Sequence, residues 1–252
     1  MPEQLMPNPW LSIITVCFND AKNLQRTLNS IKNQHCNLIQ SIVIDGGSTD
    51  HSLDIIHSNP DVITDWISEK DEGLYDAMNK GLTFVKGDYI LFLNAGDVFH
   101  NDNVVHLTKA SNEGEDVLYG DAIIVNEDGS FKSPLHKKTP HHLNWKSFKN
   151  GMVVCHQAIF VKFSISAQYN LKYKIAADID WAIRTLKNST STRYLGFIVC
   201  DFQTGGLSSN RKILALLERW IILRRHFGIL STLYSHLRIL YEFIQSRLKR
   251  LL

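Results

Sequence analysis

An acidic residue that directly follows a buried strand is the strongest chemical signal in this chain. Asp97 comes after the apolar segment 89–93 (YILFL), within the segment 94–97 (NAGD). A carboxylate at that position indicates a ligand or cation site. A divalent cation held by one or two protein oxygens and by phosphate oxygens is the usual way to neutralise a departing diphosphate. Asp97 supplies a suitable oxygen for Mn²⁺ or Mg²⁺.

Two further carboxylates, Asp178 and Asp180, flank Ile179 at the start of a helical segment that contains Arg184. A positioned carboxylate can accept the proton of an attacking hydroxyl. The alternative is a carboxylate at a helix N-terminus that only offsets the helix dipole. The pattern therefore provides a candidate general base and a structural alternative.

Two other polar segments have the same two interpretations. In 45–50 (DGGSTD), the glycines permit a tight turn and close approach of a ligand, but a capped turn between strand and helix explains them equally well. In 69–73 (EKDEG), four charges precede a helix, and a solvated charged surface is the alternative to a binding site. Neither segment identifies a site without its structural context.

The elements that must position these segments alternate between strand and helix. Strands are predicted at 11–17, 41–45, 61–68 and 88–94, and helices at 20–34, from about Ser48, and at 74–85. This alternation predicts an α/β fold with a doubly wound, mostly parallel sheet. Loops at the carboxyl ends of such strands converge on one crevice, so the segments above are expected to meet there.

The rest of the chain is predicted to hold a strand pair around Gly120, a hairpin turn at 126–130 and a polar acceptor loop at 133–150. From Arg211 the pattern is helical, with a break at Gly228 and a second helix over 230–250. This tail carries nine Lys/Arg against two Glu. We expect a catalytic domain at 1–210 and a basic amphipathic tail at 211–252.

The tail is predicted to lie on an anionic membrane surface, with its apolar face among the lipid headgroups. Packing of the helices on the catalytic domain or on another subunit is the alternative. The N-terminus lacks a signal-peptide pattern, no apolar run is long enough to span a bilayer, and the four cysteines are scattered. We expect a cytoplasmic protein, peripheral at the inner face of the membrane, with no nucleic-acid partner.

Six segments in order resemble the inverting family 2 glycosyltransferases of the GT-A fold, as found in bacterial polysaccharide biosynthesis. They are TVCFND, DGGSTD, SEKDEGLYDAMNKG, LNAGD, the pair His156-Gln157 and ADIDWAIR, within about residues 10–210. The resemblance implies transfer of a sugar from a nucleotide diphosphate sugar to a hydroxyl of a glycan or lipid-linked acceptor.

The resemblance also implies roles for individual residues. Asp178 is the expected general base and Asp97 the expected metal ligand. Asp45 and Asp71 are expected in the nucleoside pocket. The other residues expected to bind the donor are Asn19, Gly46, Ser48, Asn79 and Asn94. The residues expected to contact the acceptor, or to support those that do, are His156, Gln157 and Asp180.

The chain departs from the family pattern at several positions. Ala177 stands where a glutamate is common, and Asn94 and Gly96 replace acids of the Asp-x-Asp motif. Met78 replaces a common arginine, a charge that Lys80 is able to replace in part. The segment 203–208 (QTGGLS) resembles a loop that closes over the donor phosphates, with a plain turn as the alternative.

Three other functions are alternatives to sugar transfer. A degenerate motif is compatible with a catalytically weak protein that binds nucleotide sugars or assists assembly, but the presence of both Asp97 and Asp178 argues against this alternative. A sugar nucleotidyltransferase would have a glycine-rich basic loop after the first strand, where this chain has CFNDAKN. A dinucleotide oxidoreductase would have the GxGxxG pattern, which is absent.

Overall fold

The first half of the chain alternates strands with helices, as predicted. In the computed structural model, which describes residues 8–135, 138–205 and 211–248, the strands are β1 (Leu11–Cys17), β2 (Ile39–Asp45), β3 (Asp65–Ser68) and β4 (Tyr89–Phe92). The helices between them are α1 (Ala21–Lys32), α2 (Ser52–Ser58) and α3 (Leu74–Leu82). The observed elements are mostly shorter than the predicted ones at their ends.

The second half adds short strands and two helices to the same sheet. Its elements are β5 (Val98–Phe99), α4 (Val104–Ser111), β6 (Val117–Val125), β7 (Phe131–Pro134), β8 (Ile159–Lys162), α5 (Ala177–Asn188) and β9 (Thr192–Gln203). Short 3-10 helices lie at Trp145–Asn150, His156–Ala158 and Phe163–Ile165. The predicted turn at 126–130 is confirmed, because Asn126 and Ser130 are hydrogen-bonded and β6 pairs with β7.

All nine strands form one sheet in the order β3-β2-β1-β4-β8-β6-β9-β5, and β7 pairs with β6. β1 is parallel to both β2 and β4, and β2 is parallel to β3. β8 runs antiparallel between β4 and β6, while β6 and β9 are parallel. The α/β fold is confirmed, with its antiparallel members confined to the second half of the chain.

The predicted strand pair around Gly120 is wrong, because β6 is one continuous strand through that glycine. A Cβ atom at Gly120 would lie 2.6 Å from the Val199 side chain and 2.7 Å from the Phe197 carbonyl oxygen. The β6–β9 register is irregular at this point. The glycine therefore serves close approach of a neighbouring strand, not a turn.

Burial on both faces explains the apolar character of the central strands. All seven residues of β1 are buried. On one face, Leu24 and Leu28 of α1 pack with Val43 of β2. On the other face, Met78 of α3 packs with Ile14 and its neighbours. The two layers fix the loops at the carboxyl ends of the strands.

The chain continues into two helices, α6 (Lys212–Phe227) and α7 (Ile229–Leu248). The predicted break is confirmed at Gly228, where φ is 81°. α6 buries Ile222 and Leu223 in the protein, and Phe227 stacks on Trp145 at 5.4 Å. No helix within the described ranges combines the length and apolar character that a membrane span requires. The domain boundary at residue 210 stays a prediction.

Candidate active site

A cavity of about 450 Å³ opens where the ends of the strands meet α5 and α6. This volume lies within the range of small-molecule sites. Its walls are largely apolar, and six polar side chains converge on it. They are Asn94, His156, Gln157, Lys174, Asp178 and Arg219. Four of the twelve residues predicted for the site thus line one cavity.

Asp178 lies in the first turn of α5, and 24% of its side chain is exposed. One carboxylate oxygen accepts a hydrogen bond from the backbone N–H of Ile179 at 2.9 Å. Burial raises the pKa of Asp178 to about 6, and the charge of Glu218 acts in the same direction. A carboxylate with a pKa close to the operating pH suits general base catalysis.

His156 lies beside Asp178, in the 3-10 helix before β8. Its Nδ1 is 3.9 Å from Oδ2 of Asp178, and no hydrogen bond joins the two side chains. Burial lowers the pKa of His156 to about 4, so the ring is neutral at pH 7. Its Nε2 is buried and has no hydrogen-bond partner among the described residues.

Gln157 separates Asp97 from the cavity. Its Nε2 donates to Oδ2 of Asp97 at 2.9 Å, and its Oε1 accepts from the Cys155 thiol at 2.8 Å. The other oxygen of Asp97 accepts from the backbone N–H of Gln203 at 3.0 Å. Burial raises the pKa of Asp97 to about 7. Asp97 thus lies one hydrogen bond behind the cavity wall.

The oxygens near Asp97 fit a divalent cation only in part. Asn94 lines the cavity. Its Oδ1 atom is buried and has no hydrogen-bond partner among the described residues. Asp97 and Asn94 close one turn, since the N–H of Asp97 donates to the Asn94 carbonyl. No cluster of three or more His, Cys, Asp or Glu with metal-binding geometry occurs in the described part of the chain. A cation there would depend on phosphate oxygens for most of its ligands.

Asp45 and Ser48 hold the turn after β2. The carboxylate of Asp45 is fully buried and accepts hydrogen bonds from the N–H groups of Gly47 and Ser48 and from the hydroxyls of Ser48 and Ser68. Asn19, at φ 51°, joins this turn to the loop after β1 through Ser48 and Thr49. The structure shows these side chains engaged with the turn itself.

Gly46 and Asp71 meet, as the convergence of the loops predicts. A Cβ atom at Gly46 would lie 2.9 Å from Oδ2 of Asp71, so the glycine leaves room for that carboxylate. Lys80 forms ion pairs with Asp71 at 2.5 Å and Glu69 at 2.8 Å. Burial raises the pKa of Asp71, although Lys80 opposes that effect. The exposed ring of Phe18 packs against the same glycine.

Asn79 and Asp180 are not brought to the cavity. The side-chain amide of Asn79 donates to the carbonyl of Tyr169 and accepts from its N–H, at 2.9 and 2.7 Å. The carboxylate of Asp180 is fully buried and binds Arg184 at 2.7 Å and His226 at 2.8 Å. The polar groups of both side chains are already paired within the protein. Each side chain joins segments distant in sequence, Asn79 through Tyr169 and Asp180 through His226.

Sequence reasoning missed Lys174 and Arg219, the two cations of the cavity. The Nε atom of Arg219 is buried, and Arg219 forms no hydrogen bond or ion pair with the described residues. Burial lowers the pKa of Arg219. Within the described ranges, the Lys174 ammonium reaches only the carbonyl of Glu72, at 3.5 Å. A cation without a counter-ion in a cavity indicates an anionic ligand. In the sequence, Arg219 is one of nine basic residues of the tail and was therefore not recognised as a site residue.

Glu218 was also missed. Glu218 is 5% exposed. Its carboxylate accepts hydrogen bonds from the backbone N–H groups of Lys174, Ile175 and Ala176 at 2.7 to 2.9 Å. These residues directly precede the helix that carries Asp178. The sequence signal was an acidic residue four positions before the apolar Ile222 of the same helix.

Solved structures share this fold. The chain superposes on S. aureus TarS 1-349 in complex with UDP-GlcNAc, with a TM-score of 0.66 and 17% identity over 85% of this chain and 70% of that chain. It also resembles the mannosyltransferase PcManGT from Pyrobaculum calidifontis, in complex with GDP-Man and Mn²⁺, with a TM-score of 0.62 and 13% identity over 86% and 65%. These similarities confirm the GT-A-type fold.

Sequence relatives give the family. A PGL/p-HBAD biosynthesis glycosyltransferase of Mycobacterium bovis is 33% identical over 215 residues, which are 81% of either chain. An uncharacterized glycosyltransferase of Mycobacterium tuberculosis is 32% identical over 214 residues, 81% of this chain and 79% of that one. The family model described as "Glycosyl transferase family 2" matches residues 12–169. The chain therefore belongs to glycosyl transferase family 2 and is a glycosyltransferase.

Proposed function

We propose that this enzyme transfers a sugar from a nucleotide diphosphate sugar to a hydroxyl of a glycan or lipid-linked acceptor in cell-surface polysaccharide biosynthesis, with inversion at the anomeric carbon. The observation that carries the proposal is the shared cavity of Asp178, Arg219 and Lys174. It combines a base of raised pKa with two cations that have no carboxylate partner among the described residues. The cations suit the diphosphate of a nucleotide sugar, and the base suits an acceptor hydroxyl.

The proposed reaction is a direct displacement with Asp178 as general base. The acceptor oxygen forms a bond to the anomeric carbon while the bond from that carbon to the diphosphate oxygen breaks. The hydroxyl proton passes to Asp178, and the nucleoside diphosphate leaves with the bonding electron pair. A carboxylate with a pKa of about 6 is ionised at pH 7 and more basic than an ordinary aspartate.

Positive charge at the leaving group is proposed to come first from the chain itself. The guanidinium of Arg219 is partly desolvated and has no counter-ion among the described residues, so an entering diphosphate would supply the missing partner. Hydrogen bonds from guanidinium to phosphate are among the stronger ones in proteins. Lys174 adds a second charge on the same wall.

A divalent cation, Mn²⁺ or Mg²⁺, is proposed as a further source of charge. Asn94 would offer its unpaired Oδ1, and Asp97 would join after Gln157 and Gln203 release its carboxylate. Such an ion supplies electrostatic stabilisation to the departing diphosphate. The mannosyltransferase PcManGT was solved with Mn²⁺, and this supports the same chemistry here.

The nucleoside end of the donor is proposed to lie beside Gly46 and Asp71. The exposed ring of Phe18 beside Gly46, with Asn19 and Ser48 in the adjoining turn, supports that position. The TarS fragment binds UDP-GlcNAc and PcManGT binds GDP-Man, so the fold accepts more than one base. The side chains of Asp45 and Asn79 are hydrogen-bonded within the protein. We propose that they support donor binding indirectly, by holding the loops around the donor.

The acceptor is proposed to enter along the apolar wall formed by Leu135, Met152 and Val153, in and beside the predicted acceptor loop. A lipid-linked acceptor would be reached from a membrane surface. α6 and α7 expose a row of apolar side chains, among them Ile213 at 77% and Leu230 at 79%. Together with the basic residues of the tail, this surface supports binding to anionic lipid, and hence a cytoplasmic enzyme peripheral to the membrane.

The proposal is tested in two steps with the full chain. A thermal shift screen against a panel of nucleotide sugars identifies the donor, because a ligand that binds only the folded state raises its stability. Transfer or donor hydrolysis is then followed by NMR, which also reports the anomeric configuration of the product. Retention of configuration, or no turnover with any bound donor, would contradict the proposal.

One observation favours the alternative of a nucleotide-sugar-binding or assembly protein. Asp97 is withdrawn behind Gln157, where a metal-dependent enzyme would need it at the cavity surface. A donor that stabilises the protein without being hydrolysed or transferred, with or without metal, would establish this second function.

A further inference from the structure

The contact between α6 and the segment before α5 depends on one buried carboxylate, that of Glu218. Three consecutive N–H groups, of Lys174, Ile175 and Ala176, converge on one carboxylate. Oε1 of Glu218 takes the first at 2.7 Å, and Oε2 takes the other two at 2.8 and 2.9 Å. Two of these N–H groups are buried, and N–H groups without a partner inside a protein are costly. Glu218 therefore determines the backbone path into α5.

That path leads directly to the proposed base. Ala176 is the cap residue of α5, and Asp178 is two residues further on. The hydroxyl of Tyr75 donates to the carbonyl of Ile175 at 2.8 Å, so the same segment is held from its other side by α3. A backbone held at four polar groups within three residues leaves Asp178 little freedom to move away from the cavity.

α6 holds α5 at a second point, two residues beyond the base. His226 Nε2 lies 2.8 Å from Oδ1 of Asp180, while Arg184 binds the other oxygen of that carboxylate. The two contacts lie eight residues apart on α6 and on either side of Asp178. The helix at the start of the C-terminal tail thus acts as a support for the base helix.

We infer that Glu218 is a positioning residue for Asp178: three backbone hydrogen bonds to its carboxylate place the proposed base in the cavity, and its negative charge acts on the same base. The inference rests on the proposed function of Asp178. It assigns a catalytic duty to a helix that lies outside the family-matched residues 12–169.

The charge effect must be separated from other groups near the Asp178 carboxylate. His156 faces it from the 3-10 helix before β8, Lys174 from the preceding segment and Arg219 from α6. Tyr75 of α3 and Tyr169 also interact with its charge, and burial holds the pKa of both phenols well above the usual range. Glu218 is the carboxylate among these groups, and its charge opposes ionisation of Asp178.

The test compares Glu218→Gln with Ile222→Val, a change of buried packing on the same helix, in the full chain. Hydrogen exchange of the amides of 174–176 is measured first, because it does not depend on turnover. We expect slow exchange in the wild-type protein and in Ile222→Val. In Glu218→Gln we expect exchange about tenfold faster or more, since a hydrogen bond to a charged group is among the stronger ones.

The second measurement is kcat/KM against pH, for transfer or donor hydrolysis. Glu218→Gln is expected to lower kcat by up to roughly 10²-fold, the effect of a catalytic group displaced by about 1 Å. It is also expected to move the Asp178 part of the acidic limb to lower pH, because an opposing charge is lost. Loss of stability alone, as in Ile222→Val, does not move that limb.

The outcomes are distinguishable. Fast exchange at 174–176 in the wild-type protein overturns the inference whatever the turnover is. An unchanged pH profile and unchanged kcat in Glu218→Gln also overturn it. A wild-type protein that binds donor without turnover contradicts the proposed function, and Glu218 would then be a structural residue only, so the inference would fall with it.

Discussion

The Nδ1 atom of His156 lies 3.9 Å from the carboxylate of Asp178, yet the two residues do not form an ion pair at neutral pH. Burial lowers the pKa of His156 to about 4 and raises the pKa of Asp178 to about 6. At pH 7 the ring of His156 is therefore neutral and the carboxylate of Asp178 is ionised, so the ring does not neutralise the carboxylate. An uncompensated carboxylate beside a neutral ring is a stronger base than one beside an imidazolium.

This relationship predicts which groups control the pH dependence. The acidic limb of kcat/KM reports ionisations of the free enzyme, and Asp178 and Asp97 titrate on it, at about 6 and about 7. His156 does not, because its pKa is about 4. We expect His156→Gln to leave the position of the limb unchanged, with kcat within about tenfold of wild type, below the usual size of general-base effects. A limb that moves in this variant would show that His156 titrates in the active range.

Arg219→Met is expected to separate donor binding from stability. The variant removes a partly buried charge without a counter-ion among the described residues, so the thermal stability should stay the same or rise. The Kd of the nucleoside diphosphate should rise about tenfold or more, as for the loss of a hydrogen bond to a charged group. The Kd of the matching nucleoside without phosphates should not change. Lys109→Met, at an exposed position of α4, is the control.

A different result at Arg219 would redirect the assignment. If nucleoside diphosphate and nucleoside both bind normally while the KM of the acceptor rises, the guanidinium does not contact the donor phosphates. Calorimetric titration of both ligands, with and without divalent metal, makes the distinction.

The burial of Asp97 predicts a characteristic dependence of stability on pH. Its pKa is raised from 3.8 to about 7, so the folded protein binds this proton more tightly than the unfolded chain. The stabilisation by the protonated carboxyl is present below about pH 4 and is lost as the pH rises towards 7. Asp97→Asn cannot lose a proton there. We expect its Tm advantage over wild type to grow between about pH 4 and 7 and to stay constant above.

Metal dependence at the same residue is checked separately. After chelation, restoring Mn²⁺ or Mg²⁺ should restore turnover, and Mn²⁺ binding observed by EPR should require the donor, because Asp97 and Asn94 alone offer too few ligands. Full activity in excess chelator would mean that Arg219 and Lys174 suffice and that the enzyme is metal-independent.

The exposed face of α6 predicts membrane binding that can be removed without unfolding. Ile213, Leu217 and Ile221 lie four residues apart and are 77, 56 and 52% exposed. Replacing all three with serine should abolish flotation with anionic vesicles at low salt and leave the Tm nearly unchanged, because surface substitutions have small effects. Truncation at residue 210 is a poorer test, since it also removes the buried Glu218. The membrane role is refuted if the wild-type protein does not float, or if the variant floats equally well.

The sequence predicted those parts of the fold that depend on residues close together in the chain. The apolar run of β1, the buried stripe of α1 and the break at Gly228 all occur where the sequence indicates them. The approach of Gly46 to Asp71 follows from the parallel arrangement of β2 and β3. The antiparallel pairings of β8 with β4 and β6, and of β5 with β9, were not predicted, because they join strands distant in sequence and leave no local pattern. The β6–β7 pairing is local and follows the predicted turn at 126–130.

The candidate site shows the same division. Asp178, His156 and Asn94 share a cavity because their loops end at one edge of the sheet. That Asp97 lies behind Gln157 depends on a contact across 60 residues. The contacts of Glu218 span more than 40 residues and use backbone N–H groups, which every residue type offers. The spacing of Glu218 and Ile222 is visible in the sequence, but no residue pattern identifies the backbone N–H groups that Glu218 binds.

The kinetics of Asp178→Asn test the central claim most directly, with Asp180→Asn as the neighbouring control. We expect Asp178→Asn to lower kcat by about 10²-fold or more while the donor Kd stays nearly unchanged, in keeping with the loss of a general base. Asp180→Asn should mainly lower the Tm, because its carboxylate pairs with Arg184 and His226 inside the fold. Near-normal turnover of Asp178→Asn, measured under saturating donor and acceptor, would contradict the account.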